Sequence, residues 1–399
     1  MASERGQVSD PVRLLVFSTL YPHSGLPNQG VFVENRLRHL LATGEATATV
    51  LAPVPWFPFR GRRWGAWARF AHAPPFERRH AIDVHHPRYP VVPKVGMNVA
   101  PTLLFHRSLR AARRLLAGGA RFDLIDAHYL YPDGVAAVRL GRALGLPVVL
   151  TARGSDVTEL TEFAVPRRAV LSAVGAAGWT ITVSAGLRNA LLALGADGSG
   201  ITVLRNGVDV HTFHPPVDRA MARRAMGLTG PTLLSVGHLI PRKAHDLVIA
   251  ALDHLPEHTL LIAGEGPERS RLEKLAAARP GRVRLLGARP HAELPSLYGV
   301  ADVMVLASTR EGWANVLLES MACGTPVVAS DIPGNDEVVG ERAAGLIAPR
   351  TPEGIAAAVR DLQANPLPRE DTRCYAERFG WEATSEGQLA VFRRVLGRG

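Results

Sequence analysis

Cysteine is nearly missing: Cys323 and Cys374 are the only two in 399 residues. That is too few for the disulfide framework a secreted chain of this length would more often carry, so a reducing cytosol is the expected compartment. Lysine is scarce as well, found only at 94, 243 and 274, and arginine therefore carries almost all of a formal net charge of +10. No run approaches the roughly 20 uninterrupted apolar residues that cross a bilayer, and the opening Met-Ala-Ser-Glu-Arg-Gly-Gln-Val-Ser-Asp lacks a signal-peptide apolar core. A soluble or peripheral protein is expected, not a spanning one. The GxGxxG fingerprint is absent, which argues against a nicotinamide enzyme. Asp-x-Asp pairs and clustered His/Cys sets are absent from the strand-end loops, which argues against a tightly bound catalytic metal. The basic balance attracts anions, but no nucleic-acid-binding motif accompanies it.

What is present is a regular alternation of short apolar runs with helical patterns, the sign of parallel sheets in an α/β chain. At 47% hydrophobic, 399 residues can bury two ordinary cores. Strands are expected at 12–18, 46–52, 123–128, 147–152, 179–184 and 201–206, with helices such as 31–42 and 185–194 between them. The pattern pauses at Gly207-Val-Asp-Val-His-Thr-Phe-His-Pro-Pro216, read as the linker. It restarts with strands at 232–237, 259–264, 283–287, 302–307 and 326–330, and a final helix is expected over 374–396. The expected domains are 1–209 and 210–374, followed by a last segment, 375–399. Gly30, His128, Arg153, Asp156, Gly237, Gly264, Gly287 and Glu311 all follow predicted strands. Ligands of open parallel sheets bind there, so two facing sheets would converge these residues on one cleft.

The densest chemistry lies at Glu311-Gly-Trp-Ala-Asn-Val-Leu-Leu-Glu319. An apolar strand precedes it, and a helix from Asn315 to Ala322 follows, closed by Gly324 and Pro326. Amides of Asn315, Val316 and Leu317 at the helix start, aided by the helix dipole, suit a diphosphate. Glu319 lies roughly 6 Å further along the axis, where a carboxylate can accept two hydrogen bonds from a ribose diol. Glu311 would face a sugar on the other side. A capping acid and a solvated glutamate are the plainer alternative for the two acids.

The segment 301–339, ADVMVLASTREGWANVLLESMACGTPVVASDIPGNDEVV, resembles the donor-binding signature of family 4 retaining glycosyltransferases of the GT-B fold. The resemblance extends to Gly237 with Pro241-Arg-Lys243, to Gly264-Glu-Gly-Pro267, to Asn206-Gly-Val-Asp209 and to Thr151-Ala-Arg-Gly-Ser-Asp156. It implies two Rossmann-like domains facing across a cleft, a C-terminal helix crossing back to the first, a nucleotide-sugar donor, retained configuration and no metal or other cofactor. Arg242 and Lys243 would then stabilise the leaving diphosphate, as cations preorganised at a developing anion do. Gly237 and Gly264 would let backbone approach the donor, and Gly30 would close a loop over it. Three departures stand out. Ala244 follows Lys243 where the family usually has glycine, Gln29 replaces one of two adjacent glycines, and Arg153 stands in the histidine position of a His-Gly-x-Asp stretch.

On the acceptor side, His128 could orient or deprotonate a hydroxyl, or be a packed histidine. Arg153 could meet an anionic acceptor or pair with Asp156. The segment 56–70 crowds six aromatics among four arginines, and Arg107, Arg110 and Arg114 share a helical face with Arg113 close by. Both features suit an anionic membrane surface beside a lipid-linked acceptor, or else a loop over the acceptor and a solvated face. The expected activity is transfer of a hexosyl group from a UDP- or GDP-sugar to a polysaccharide, lipid-linked or other cell-surface glycan. A nonhydrolysing nucleotide-sugar epimerase and an inactive GT-B scaffold are the alternatives.

Overall fold

A computed structural model describes residues 10–57, 59, 61, 66–91 and 96–398. The chain divides into two compact units. One runs to Arg205 and takes in the chain from Glu382 onward; the other spans Asn206–Trp381.

The first unit is built on strands β1 (Val12–Phe17), β2 (Ala46–Leu51), β3 (Val54–Pro55), β4 (Phe76–Arg79), β5 (Ile82–His85), β6 (Arg88–Tyr89), β7 (Leu124–His128), β8 (Val148–Ala152), β9 (Trp179–Thr182) and β10 (Ile201–Val203). Eight of them form one sheet in the order β10-β9-β8-β7-β1-β2-β5-β4, parallel except for the β4/β5 hairpin. Its central strands, β7 and β8, are buried along their whole length, as expected when helices cover both faces of a parallel sheet. The strand order turns at β1/β7. That switch point sets the loop after β1 beside the end of β7, and Ser18 Oγ donates to the His128 carbonyl at 3.2 Å.

The second unit carries β11 (Thr232–Val236), β12 (Thr259–Ala263), β13 (Val283–Gly287), β14 (Val303–Leu306), β15 (Val327–Ser330) and β16 (Gly345–Ala348). They form a wholly parallel sheet in the order β13-β12-β11-β14-β15-β16. This is the doubly wound Rossmann order, and its switch point falls between β11 and β14. Leu233, Ile262 and Val305 on one face of the sheet pack against Val248, Ile249 and Val359 of the covering helices.

The 374–396 expectation is corrected: two helices occupy that span, Arg369–Glu377 and Glu382–Val395. The break lies where the backbone of Gly380 touches Gly207; a Cβ on Gly207 would come within 2.7 Å of it. The return to the first unit therefore starts at Glu382, not 375. Tyr375 stays with the second unit, its hydroxyl donating to the Val338 carbonyl at 3.0 Å. Helix Glu382–Val395 then buries Leu389 and Phe392 against Val33, Leu37 and Leu40 of the first unit.

Candidate functional site

Every donor-side residue singled out in the sequence except Gly30 lies on the second unit, at or near the carboxyl edge of its sheet. β11 leads through Gly237 into the turn Pro241–Lys243, and β14 leads to Glu311 beside it. The two loops are stitched together. Thr309 N donates to the Arg242 carbonyl at 2.9 Å, and Arg242 Nη1 donates to the Arg310 carbonyl at 2.7 Å.

Across that seam, Lys243 Nζ donates to Glu311 Oε1 at 2.6 Å, and Arg242 Nη1 stands 3.4 Å from Oε2. Glu311 is turned onto the two cations, where the sequence suggested a carboxylate facing a sugar. The reason is burial: a carboxylate 9% exposed must be neutralised by partners. Burial alone would push Glu311 up, but the Lys243 and Arg242 charges and the Lys243 hydrogen bond hold it below the usual range. Two fixed cations against one carboxylate leave the seam net positive at the switch point.

The glycines shape this seam by letting strand-end loops touch each other. A Cβ on Gly264 would fall 1.8 Å from the Gly237 carbonyl oxygen, and one on Gly266 would fall 2.3 Å from that of Leu239. Gly237 lies under the Lys243 stem, with a built Cβ 3.4 Å from its Cδ. The close approach at Gly264 is thus between loops. Ala244 adopts φ 48°, the left-handed conformation for which glycine is favoured, so alanine here occupies a backbone conformation that suits glycine.

Helix Asn315–Ala322 begins beyond the seam. Two of its first three amides are engaged by backbone, where the sequence reading had all three open: Asn315 N donates to Trp313 O at 3.1 Å and Leu317 N to Ala314 O at 3.0 Å. Asn206 holds the entry loop, donating from Nδ2 to Asn315 Oδ1 at 3.2 Å and accepting Trp313 Nε1 at 3.1 Å. One turn on, Glu319 is gripped through both oxygens. Tyr298 donates its hydroxyl to Oε2 at 2.9 Å, and His291 Nε2 lies 3.0 Å from Oε1. A carboxylate only accepts, so this nitrogen carries the proton. Burial and the Glu319 charge push the Tyr298 phenol up, keeping it a donor. Phe213 packs edge-on against His291 at 5.1 Å. Sequence reading missed Tyr298, His291 and Phe213, because 21 to 106 positions separate them from Glu319 and no local pattern joins them.

On the first unit, His128, Arg153 and Asp156 come together, but in a buried network. His128 is 1% exposed. Its Nε2 lies 3.2 Å from Asp126 Oδ2, and its Nδ1 lies 2.7 Å from Arg153 Nη2. Arginine only donates, so Nδ1 accepts and Nε2 carries the hydrogen toward Asp126. Burial lowers the His128 pKa despite the Asp126 charge, and the ring is neutral. The packed-histidine alternative is therefore what the structure shows; a base facing solvent is not. Asp156, fully buried, accepts from the amides of Leu130, Arg153 and Gly154 at 2.7–3.1 Å, so it pins the strand-end loop and is not open to an acceptor. The Arg153 guanidinium holds His128 and lies 5.3 Å over the Phe32 ring. Gln388 joins the network from the C-terminal helix, accepting Arg36 Nε at 2.9 Å and donating to Asp126 Oδ2 at 3.0 Å. Gly30 caps helix Val31–Ala42 at φ 60°, and a Cβ there would meet the Leu20 carbonyl oxygen at 1.8 Å.

Of the aromatic segment, residues 58, 60 and 62–65 lie outside the described residues. Trp56 and Phe59 are exposed, as are Arg107, Arg110, Arg113 and Arg114 on helix Gly96–Ala117. Among the described residues no helix is long and apolar enough to cross a membrane.

Residues 67–212 match the family model described as Glycosyltransferase Family 4, and residues 218–379 match that of Glycosyl transferases group 1. A glycosyltransferase named for teichuronic acid biosynthesis, TuaC of Bacillus subtilis, is 28% identical over 87% of this chain and 88% of its own. D-inositol 3-phosphate glycosyltransferase of Mycobacterium bovis is 34% identical over 51% of this chain, an alignment that spans 45% of that relative. Among solved structures, sucrose-phosphate synthase of Thermosynechococcus elongatus aligns with a TM-score of 0.78 at 20% identity, covering 98% of this chain and 100% of that one. HepE of Anabaena, solved with UDP and glucose, aligns with a TM-score of 0.72 at 20% identity, covering 95% and 98%.

Proposed function

Because the chain belongs to the family 4, group 1 glycosyltransferases of the GT-B fold, we propose that it moves a hexosyl group, with retention and without a metal, from a UDP- or GDP-sugar to a cell-surface acceptor. The acceptor would be a polysaccharide or a lipid-linked glycan. The observation that carries this reading is the Arg242–Lys243–Glu311 seam at the β11/β14 switch point, two cations held beside a helix start. UDP comes first among donors because the Anabaena neighbour was solved with UDP and with UDP-glucose. An anionic polysaccharide comes first among acceptors because of the teichuronic acid relative.

On this reading the donor diphosphate takes Lys243 and Arg242 from Glu311, and the released carboxylate turns to the sugar. Glu319, prealigned by Tyr298 and His291, accepts from the ribose diol with its remaining lone pairs. An acceptor hydroxyl attacks the anomeric carbon from the leaving group's own face. The new C–O bond forms as the bond to the diphosphate oxygen breaks, and the hydroxyl proton passes to that phosphate. Cations fixed at the leaving group stabilise its developing charge by several kcal/mol in a water-poor site. Acceptor would dock on the carboxyl edge of the first unit's sheet. The exposed arginines of helix Gly96–Ala117 support peripheral contact with an anionic membrane at its cytoplasmic face.

The test is a panel of nucleotide sugars scored by thermal stabilisation, where ligand at about 100 times its Kd adds about 2.7 kcal/mol, followed by turnover. Release of free nucleotide that depends on added acceptor is expected. Stabilisation by no nucleotide sugar, or isomerisation of the sugar without acceptor, would overturn the reading.

A further inference from the structure

The opposite edge of the second unit's sheet holds a cavity for which the donor chemistry has no use. Its volume is about 640 Å³, well within the range of small-molecule sites. Gly230, Asp302 and Pro326 line it at the amino ends of β11, β14 and β15. The five residues of β11, at about 3.3 Å each, put roughly 16 Å between this edge and Gly237. The two sites are therefore distinct.

Four arginines line the cavity, Arg219, Arg223, Arg342 and Arg369, against one carboxylate among the described lining residues, Asp302; Arg342 is itself paired with Asp361 at 2.9 Å, which leaves two guanidiniums in excess of the two carboxylates. Asp302 is already shared, with Arg219 at 2.5 Å and Arg223 at 3.1 Å. Arg369 is anchored by the carbonyls of Ala301, Gly299 and Cys323 at 3.0–3.2 Å. Carbonyls fix its orientation without cancelling its charge. Burial, reinforced by the Arg219 charge, pushes the Arg369 guanidinium down to about 10. Planar guanidiniums held in place match phosphate oxygens bidentately. Leu362 and the exposed Leu367 add an apolar wall.

We propose that this cavity is a second ligand site on the donor unit and takes a small phosphomonoester, its phosphate against the arginines and its organic body against Leu362 and Leu367. Isothermal titration of the full chain with glucose 6-phosphate, in saturating UDP, tests it. Arg342→Gln and Leu367→Glu both alter exposed side chains, and their melting temperatures check that each folds. Saturable binding of glucose 6-phosphate but not of glucose is expected, weakened about tenfold or more in each variant, with UDP affinity unchanged. No saturable heat, equal binding of glucose, or wild-type affinity in either variant would overturn the proposal. Neither substitution touches the donor edge, so a failure of UDP itself to bind would count against the donor reading alone.

Discussion

Replacing Lys243 by methionine removes the ammonium from Glu311 while keeping an apolar stem over Gly237. Two unit charges about 4 Å apart attract by about 4 kcal/mol at an effective dielectric near 20, and withdrawing both from water offsets most of that gain. The intact pair therefore stabilises the fold little. The orphaned partner is what costs. With only Arg242 left, at 3.4 Å, Glu311 should destabilise the second unit by about 2–3 kcal/mol, short of the roughly 3–5 kcal/mol of a fully unpaired buried charge. Adding Glu311→Gln removes the charge itself, and the double variant should return to within about 1 kcal/mol of the wild type. The pH dependence gives an independent check. In the wild type Glu311 is depressed, so its contribution is present above the unfolded carboxylate value and lost as pH falls through the folded one. In the single variant both Lys243 contributions are gone and burial is opposed only by the Arg242 charge and a Ser308 hydrogen bond, so the carboxyl should rise. Its penalty then appears as pH climbs through the raised value and fades on acidification. Calorimetric unfolding at pH 8 and pH 5 should show the deficit shrinking at the lower pH. A single variant no less stable than the double, or a deficit indifferent to pH, would refute the pairing argument.

Three further outcomes are expected. Glu319→Gln keeps the shape but removes the charge that Tyr298 and His291 orient, and should weaken UDP binding about tenfold by titration calorimetry, about 1.4 kcal/mol; unchanged affinity would mean that Glu319 only braces the helix. Gly264→Ala would drive a methyl to 1.8 Å from the Gly237 carbonyl oxygen, and should cost more than about 4 kcal/mol and remove the cooperative melting of the second unit; normal melting would show that the loops can part. His245 is pushed down to about 4, first by burial and then by the Lys243 charge. Its contribution is complete above the ordinary value near 6.5 and lost as pH falls toward 4, about 3 kcal/mol at 1.36 per unit. His245→Gln should therefore flatten the stability decline over that window, and an unchanged pH profile would contradict it.

The sheets and the donor edge were legible because they rest on local signals. Val303-Met-Val-Leu306 is an apolar strand whatever surrounds it, and β11, β12, β14 and β15 end within a residue or two of where their sequence says. The β4/β5 hairpin was not legible, since His80 and Ala81 take left-handed φ of 48° and 64° where Asn-Gly would have marked the turn. The break before Glu382 was hidden for another reason: it is set by contact of Gly380 with Gly207, far away in the chain. The same limit divides the site. Glycines and adjacent cations announced the seam, whereas the grip of Tyr298 and His291 on Glu319 comes from separate elements. On the first unit, residue types alone could not tell a base from a packed histidine; that depended on Arg153 and Asp126 occupying both ring nitrogens.

A crystal structure of the protein with UDP bound would test the central claim most directly. It should show the β-phosphate within hydrogen-bonding reach of Lys243 Nζ and Arg242, the ribose hydroxyls on Glu319, and Glu311 released from Lys243. Nucleotide bound elsewhere, or bound with the Lys243–Glu311 pair intact and Glu319 out of reach of the ribose, would contradict it.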